Sequence, residues 1–144
     1  PIGYQQQRFD ETLEKVKREA PELNEVEARE QAFVYVFPPS MDPQTPPPHS
    51  TGAAVDVGLV DSDGAVDMGC NYGRFDETTY TNNDHVGVQA KKNRRVLLEA
   101  MVKAGFVNYP GEWWHYSYGD REWAAYEGKN TAMYGRADLL EERR

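Results

Sequence analysis

Phe106-Val107-Asn108-Tyr109-Pro110-Gly111-Glu112-Trp113-Trp114-His115-Tyr116-Ser117-Tyr118 is two aromatic runs hinged on a Pro-Gly pair. Phe106–Tyr109 and Glu112–Tyr118 read as strands. Pro110 and Gly111 break them, because proline brings no amide to a ladder and glycine turns freely. Before them, Val88 to Ala104 reads as a helix with Val96, Leu97, Ala100, Met101 and Ala104 on one face, and Gly105 supplies a left-handed cap. After them, Asp120 is placed to cap a short helix through Tyr126, and Leu139 to Arg144 is a charged tail expected to fray. Upstream, Gly52 to Val60 reads as another strand, followed by turn chemistry in Asp61-Ser62-Asp63-Gly64. Phe9, Leu13, Val16 and Ala20 make a helical stripe within Arg8–Ala20 that Pro21 stops. Glu22 to Ala32 reads as partly helical and Phe33–Phe37 as a strand, while Pro38 to Pro48, with six prolines, reads as an extended loop. Helices and short strands alternate without a βαβ rhythm. The pattern predicts an α+β fold, a small antiparallel sheet flanked by helices.

The chain has 144 residues, enough for one ordinary domain, here taken as 1–144. With Lys+Arg 16 against Asp+Glu 24 its net charge is −8, which argues against a nucleic-acid binder and a polybasic membrane anchor. Mean hydropathy is −0.81. No apolar run approaches the ~18–20 residues of a membrane span, and no signal-peptide pattern opens the chain. Cys70 is the one cysteine, so neither an internal disulfide nor a cysteine-rich zinc site can form.

Two histidines sit in company that suggests chemistry. His49 ends the proline-rich loop and is followed by Ser50-Thr51-Gly52-Ala53-Ala54-Val55-Asp56; His115 closes Glu112-Trp113-Trp114-His115. A catalytic zinc takes three ligands of the His, Asp and Glu kind and keeps one position for water. His49, Asp56 and His115 make such a set, with Glu112 left over as a base. Asp56 stands between Val55 and Val57, where an unpartnered carboxylate is costly. On a regular strand Glu112 and His115 would point to opposite faces, so sharing a site requires Glu112 to precede the strand or lie on a bulge. Every piece also has a bland reading. His-x6-Asp and Glu-x-x-His are common spacings, Trp-Trp in a strand is usually core, and Asp56 is also explained as a strand-end carboxylate capped by backbone donors. From the residues alone both readings stand.

At these positions the sequence resembles the zinc D-Ala-D-Ala dipeptidases, relatives of the D,D-carboxypeptidases and of certain phage endolysins. The family pattern Ser-x-His-x-x-Gly-x-Ala-x-Asp is met from His49 through Gly52 and Ala54 to Asp56, and Glu-x-Trp-His by Glu112-Trp113-Trp114-His115. Met68-Gly69-Cys70-Asn71-Tyr72-Gly73-Arg74-Phe75-Asp76 resembles the family's Met-Gly…Phe-Asp segment. Asn93-Arg94-Arg95 with Leu97, then Ala104-Gly105-Phe106, resemble its helix before the metal strand.

The resemblance implies a Hedgehog/D,D-peptidase-like fold. One Zn2+ per chain would be held by His49, Asp56 and His115, with Glu112 as general base and then acid. The substrate implied is D-alanyl-D-alanine or a related small peptide. Asp76 is the family-like group for the substrate's ammonium, with a turn-capping role as its alternative, and Ser50 and Trp114 are further substrate-side candidates. His85 has no counterpart and reads as a loop histidine; Cys70 reads as a small packed residue. Two departures stand out. Pro47 replaces the family serine, and the Tyr-Arg-Pro segment whose arginine stabilises the oxyanion would end at Pro1, which implies an N-terminally truncated chain. The rival functions are a D,D-carboxypeptidase or endolysin acting on larger wall peptides, and a non-catalytic zinc module on the same scaffold. The expected compartment is the cytoplasm, with periplasm or secretion open, and the oligomeric state is open too.

Overall fold

Gln6 and Gln7 donate from their side-chain amides to Asp10 and Glu11, each 2.8 Å and one turn ahead, so helix α1 (Ile2–Glu19) begins well before its apolar stripe. Pro21 follows its end, as expected. Helix α2 (Glu25–Tyr35) opens on a complete capping box. The Asn24 side chain accepts from the amides of Val26 and Glu27, and the Glu27 carboxylate accepts from the Asn24 amide. Ala28 and Ala32, fully buried, lie against Phe9, Leu13 and Val16. Phe33–Phe37 was expected as a strand; instead Phe33 to Tyr35 complete α2. The cap starts a helix whose small i,i+4 face keeps packing on α1, and this outweighs the β preference of Phe33, Val34 and Tyr35. Val36 leaves the helix with extended dihedrals, and Phe37 lies outside the described residues.

This computed structural model describes residues 2–36, 38–40, 42, 44–74 and 76–137. The expected tail, Leu139 to Arg144, falls outside them. They form two compact units, one running to Gly52 and resuming at Gly135, the other Ala53–Tyr134. The described residues between 38 and 47 are in neither helix nor strand, in keeping with their prolines. Pro48 then starts a single 3-10 turn, Pro48–Thr51, which Gly52 ends at φ +72°.

In the second unit, strands β1 (Ala54–Asp56), β4 (Val107–Asn108) and β5 (His115–Ser117) form an antiparallel sheet in the order β1-β5-β4, and a separate hairpin pairs β2 (Val60–Asp61) with β3 (Gly64–Ala65). The hairpin turn falls on the expected Asp61-Ser62-Asp63-Gly64, where the Asp61 carboxylate accepts from the Asp63 amide at 2.9 Å. The three strands of the sheet are shorter than the sequence suggests. Two consecutive tight turns, Glu112 N–H to Tyr109 O and His115 N–H to Glu112 O, take residues 110–113 out of the ladder.

Helix α3 (Val88–Lys103) ends in a Schellman motif. Gly105 at φ +91° lets its own amide reach Val102 O while the Phe106 amide reaches Met101 O. Its inward face differs from the expected one: Ala90, Arg94 and Leu97 are buried, whereas Val96 is 56% exposed and Ala100 and Ala104 are exposed. The reason is Arg94, a charged residue that belongs to the interior. Helix α4 (Arg121–Tyr126) is capped by Asp120, whose Oδ1 accepts from the Trp123 amide at 2.9 Å. α3 and α4 both pack on β4. Met68, Leu97, Trp113, Trp114 and Tyr116 make the core of this unit. The class is α+β, and among the described residues no helix is long and apolar enough to cross a membrane.

Candidate metal centre

The sheet register sets the geometry. Asp56 ends β1 and His115 begins β5, and the two are direct cross-strand partners. Directly opposed residues in an antiparallel pair share a face, so carboxylate and imidazole meet: His115 Nδ1 lies 3.2 Å from Asp56 Oδ1. His49 comes from the Pro48–Thr51 turn. One ligand atom from each of His49, Asp56 and His115 lies within 4.8 Å of the others. Two imidazole nitrogens and a carboxylate oxygen are donors zinc takes, and tetrahedral bonds of ~2.0–2.2 Å set such donors about 3.4 Å apart. The three residues fit a divalent ion of this kind and leave a coordination position over.

Glu112 precedes β5, in the tight turn begun at Tyr109, which resolves the problem of opposite faces. From there its Oε2 stands 3.8 Å from His115 Nδ1. The turn is pinned on both sides. Thr79 Oγ1 donates to Gly111 O at 2.7 Å, the Trp113 amide donates to Thr79 O at 2.9 Å, and the Asn108 side chain donates to Glu112 O and His115 O at 3.0 and 2.9 Å.

The His115 side chain is 8% exposed. Burial works against its charged form, but hydrogen bonds and charge from Asp56 and Glu122 outweigh burial and carry its pKa up to about 10. Carboxylates on both edges of the ring thus favour positive charge there. On Asp56, the other carboxylate oxygen accepts from the Tyr72 hydroxyl at 2.9 Å, and the Tyr72 ring stands edge-on to Trp114 at 5.2 Å.

The substrate-side candidates have local partners. The Ser50 hydroxyl donates to Pro47 O at 2.7 Å. Trp114 is buried in the core beside Trp113. Asp76 caps a 3-10 turn: its carboxylate accepts from the Thr78 amide and hydroxyl and pairs with Arg74 Nη2 at 2.7 Å. The hydroxyl bond from Thr78, with Arg74 adding to it, holds its pKa below the ordinary value. His85 is exposed in a turn and outside the His-Asp-His group. Cys70 is half-buried, and its Sγ lies 3.3 Å from Thr78 O and 3.4 Å from Trp113 Nε1.

Two residues at the centre were not singled out from the sequence, Tyr72 as a partner of Asp56 and Glu122 as a partner of His115 Nε2 at 3.1 Å. The one signal for Glu122 is the Gly119-Asp120 turn and cap, which starts α4 immediately after β5 and so places its first turn near that strand.

Comparison with known proteins agrees with the family resemblance seen in the sequence. A family model described as D-ala-D-ala dipeptidase matches residues 4–133. The chain is 35% identical to a D-alanyl-D-alanine dipeptidase of Synechocystis sp. over 96% of this chain and 66% of that protein. It is 37% identical to one of Enterococcus faecalis over 47% of this chain and 35% of that protein, and 36% identical to one of Escherichia coli over 47% and 36%. The chain thus spans just under two thirds of the Synechocystis relative and about a third of the other two. With the match running along nearly all of its length, the chain belongs to the D-Ala-D-Ala dipeptidase family of the M15 peptidases.

Proposed function

We propose that the chain is a zinc-dependent hydrolase acting on the dipeptide D-alanyl-D-alanine, with one Zn2+ held by His49, Asp56 and His115 and with Glu112 as general base. The observation that carries the reading is the Glu112 carboxylate, 3.8 Å from His115 Nδ1 at the edge of a three-residue group with metal-ligand chemistry. Family membership and the names of the relatives support the substrate class.

A divalent cation in that group supplies Lewis acidity, lowering the pKa of water from ~15.7 toward ~7 and polarising a carbonyl. Glu112 takes a proton from the attacking water and returns it to the leaving amine. The pinned turn fixes the backbone that carries that carboxylate, which limits the reorganisation needed as the proton moves. Asp76 supplies a carboxylate of the right charge for the substrate's ammonium, which would displace Arg74 from it. Ser50 and Trp114 are the remaining substrate-side candidates.

The test is Glu112→Gln, read by metal content and by D-alanine release. Bound zinc should be unchanged and turnover should fall by about 10²–10⁴-fold. Undiminished turnover would remove Glu112 from the mechanism. A wild-type chain that cleaves a wall pentapeptide but not the free dipeptide would move the substrate to the carboxypeptidase class.

A further inference from the structure

We propose that Glu122 is the positioning residue of the metal centre: it holds His115 by Nε2, so that Nδ1 is the nitrogen turned to the cation. The inference rests on the metal reading above.

The argument begins with donors and acceptors. An ionised carboxylate only accepts, so with Glu122 Oε2 at 3.1 Å from His115 Nε2 the proton belongs on Nε2. A cation would then take the place of the second proton, on Nδ1, and Nδ1 is the nitrogen that faces Asp56 Oδ1 at 3.2 Å and Glu112 Oε2 at 3.8 Å. The ring therefore has a carboxylate for its proton on one edge and the candidate ligand group on the other. Glu122 is outside the His49-Asp56-His115 group.

Glu122 is itself held. The same Oε2 accepts from the Ser117 hydroxyl at 3.2 Å, and Ser117, fully buried, is two residues beyond His115 on β5 and so on the same strand face. Its backbone sits in the first turn of α4, which Asp120 caps and which Trp123 ties down through Nε1 to Gly105 O at 3.0 Å. Tyr109 closes the ring from the side, edge-on at 6.2 Å. A metal-binding imidazole usually donates its second N–H to a carboxylate or carbonyl, and loss of that partner typically costs about 10–100-fold in metal affinity.

The experiment uses the full chain with zinc alone. Zinc affinity is measured by competition with a chelator for wild type, Glu122→Gln, Glu122→Ala and His115→Ala, and the imidazole nitrogens of the zinc-loaded wild type are assigned by 15N NMR. The expected results are zinc bonded to Nδ1 with the proton on Nε2, and affinity about 10–100-fold weaker in both Glu122 variants with metal-free melting close to wild type in Glu122→Gln. Zinc bonded through Nε2 would overturn the proposal on the wild type alone, whatever the variants do. Wild-type affinity in both Glu122 variants would overturn it while leaving the metal centre standing. Zinc binding that survives His115→Ala unchanged would instead remove the centre, and this proposal with it.

Discussion

Replacing Arg94 with methionine tests how the second unit is held together. Arg94 is 2% exposed, and its guanidinium donates to three backbone carbonyls, Met68 O at 2.7 Å, Thr78 O at 2.7 Å and Tyr80 O at 2.6 Å. It also stacks over Trp113, 5.9 Å from the ring centroid. Methionine keeps the stem and removes every donor. Three hydrogen bonds to a charged donor, each worth about 1.5–3 kcal/mol, give about 4.5–9 kcal/mol gross, although Tyr80 O keeps the Asn83 amide at 3.0 Å and Thr78 O the Cys70 thiol at 3.3 Å. Against this stands the relief of burying a cation, the same desolvation that lowers the Arg94 pKa and amounts to several kcal/mol per ion. With about 3 kcal/mol of relief taken from the upper part of that range, about 6–8 kcal/mol, the net expectation is a loss of about 3–5 kcal/mol, or about 10–20 °C in Tm for a domain of this size. Arg94→Lys separates charge from geometry. One ammonium cannot span carbonyls arranged for a planar fork, so lysine should recover less than half of the loss. Urea titration of the metal-free chain reads both. Arg94→Met within about 1 kcal/mol of wild type at unchanged m-value would refute the reasoning. So would a lysine variant equal to arginine.

The glycine at 69 and the carboxylate at 76 make two further predictions. Gly69 sits at φ +84°, and a Cβ there would lie 2.8 Å from Val86 Cβ and 3.0 Å from Ala90 Cβ. Gly69→Ala should therefore cost about 2–4 kcal/mol, from left-handed strain and overpacking together. Gly73→Ala, at φ +75° with nothing within 4 Å, should cost only the strain, about 1–2 kcal/mol; equal urea midpoints for the two would disprove the packing argument. Asp76 has its folded-state pKa lowered, chiefly by the Thr78 hydroxyl, so the folded chain binds fewer protons there than the unfolded one. Its contribution is present above the unfolded pKa of ~3.9 and disappears as pH falls through the folded value. Asp76→Asn should therefore flatten the decline of Tm below about pH 4, and parallel curves for variant and wild type in that range would count against it.

The helices were legible where their signals were local. Pro21 ends the run before it, and Asp120 caps α4, because proline and a capping carboxylate act within a turn of their own position. Phe33 to Tyr35 misled because their preference for strand is weaker than the reach of a helix already nucleated at Asn24 and packed through Ala28 and Ala32. The face of α3 misled for a different reason. The expected face left Arg94 out, yet the chain from 68 to 80 turns three carbonyls toward it that no strand satisfies, and only a forked donor of that length answers all three. At the candidate site, the four residues read from motif spacing are brought near one another. Tyr72 and Glu122 escaped notice because each touches its partner only after a turn has closed.

The short sheet explains why so few residues suffice to assemble the centre. Side chains alternate along a strand, so one register places Ala54 and Asp56 of β1 and His115 and Ser117 of β5 on a common face, with Val55 and Tyr116 on the other. A slip of one residue would turn His115 away from Asp56 and send the buried Tyr116 to the site face. Bonds just outside the strands resist that slip, since the Val57 amide reaches Trp114 O and the Tyr118 amide reaches Ala53 O, both at 2.9 Å. The core resists it too, because Tyr116 is fully buried with Met68, Leu97, Trp113 and Trp114. Burial of Tyr116 on one face of the short β5 strand thereby helps to set, on the opposite face, where Asp56 and His115 meet and where Glu122 can reach both His115 and Ser117. The polar centre inherits its alignment from the apolar one.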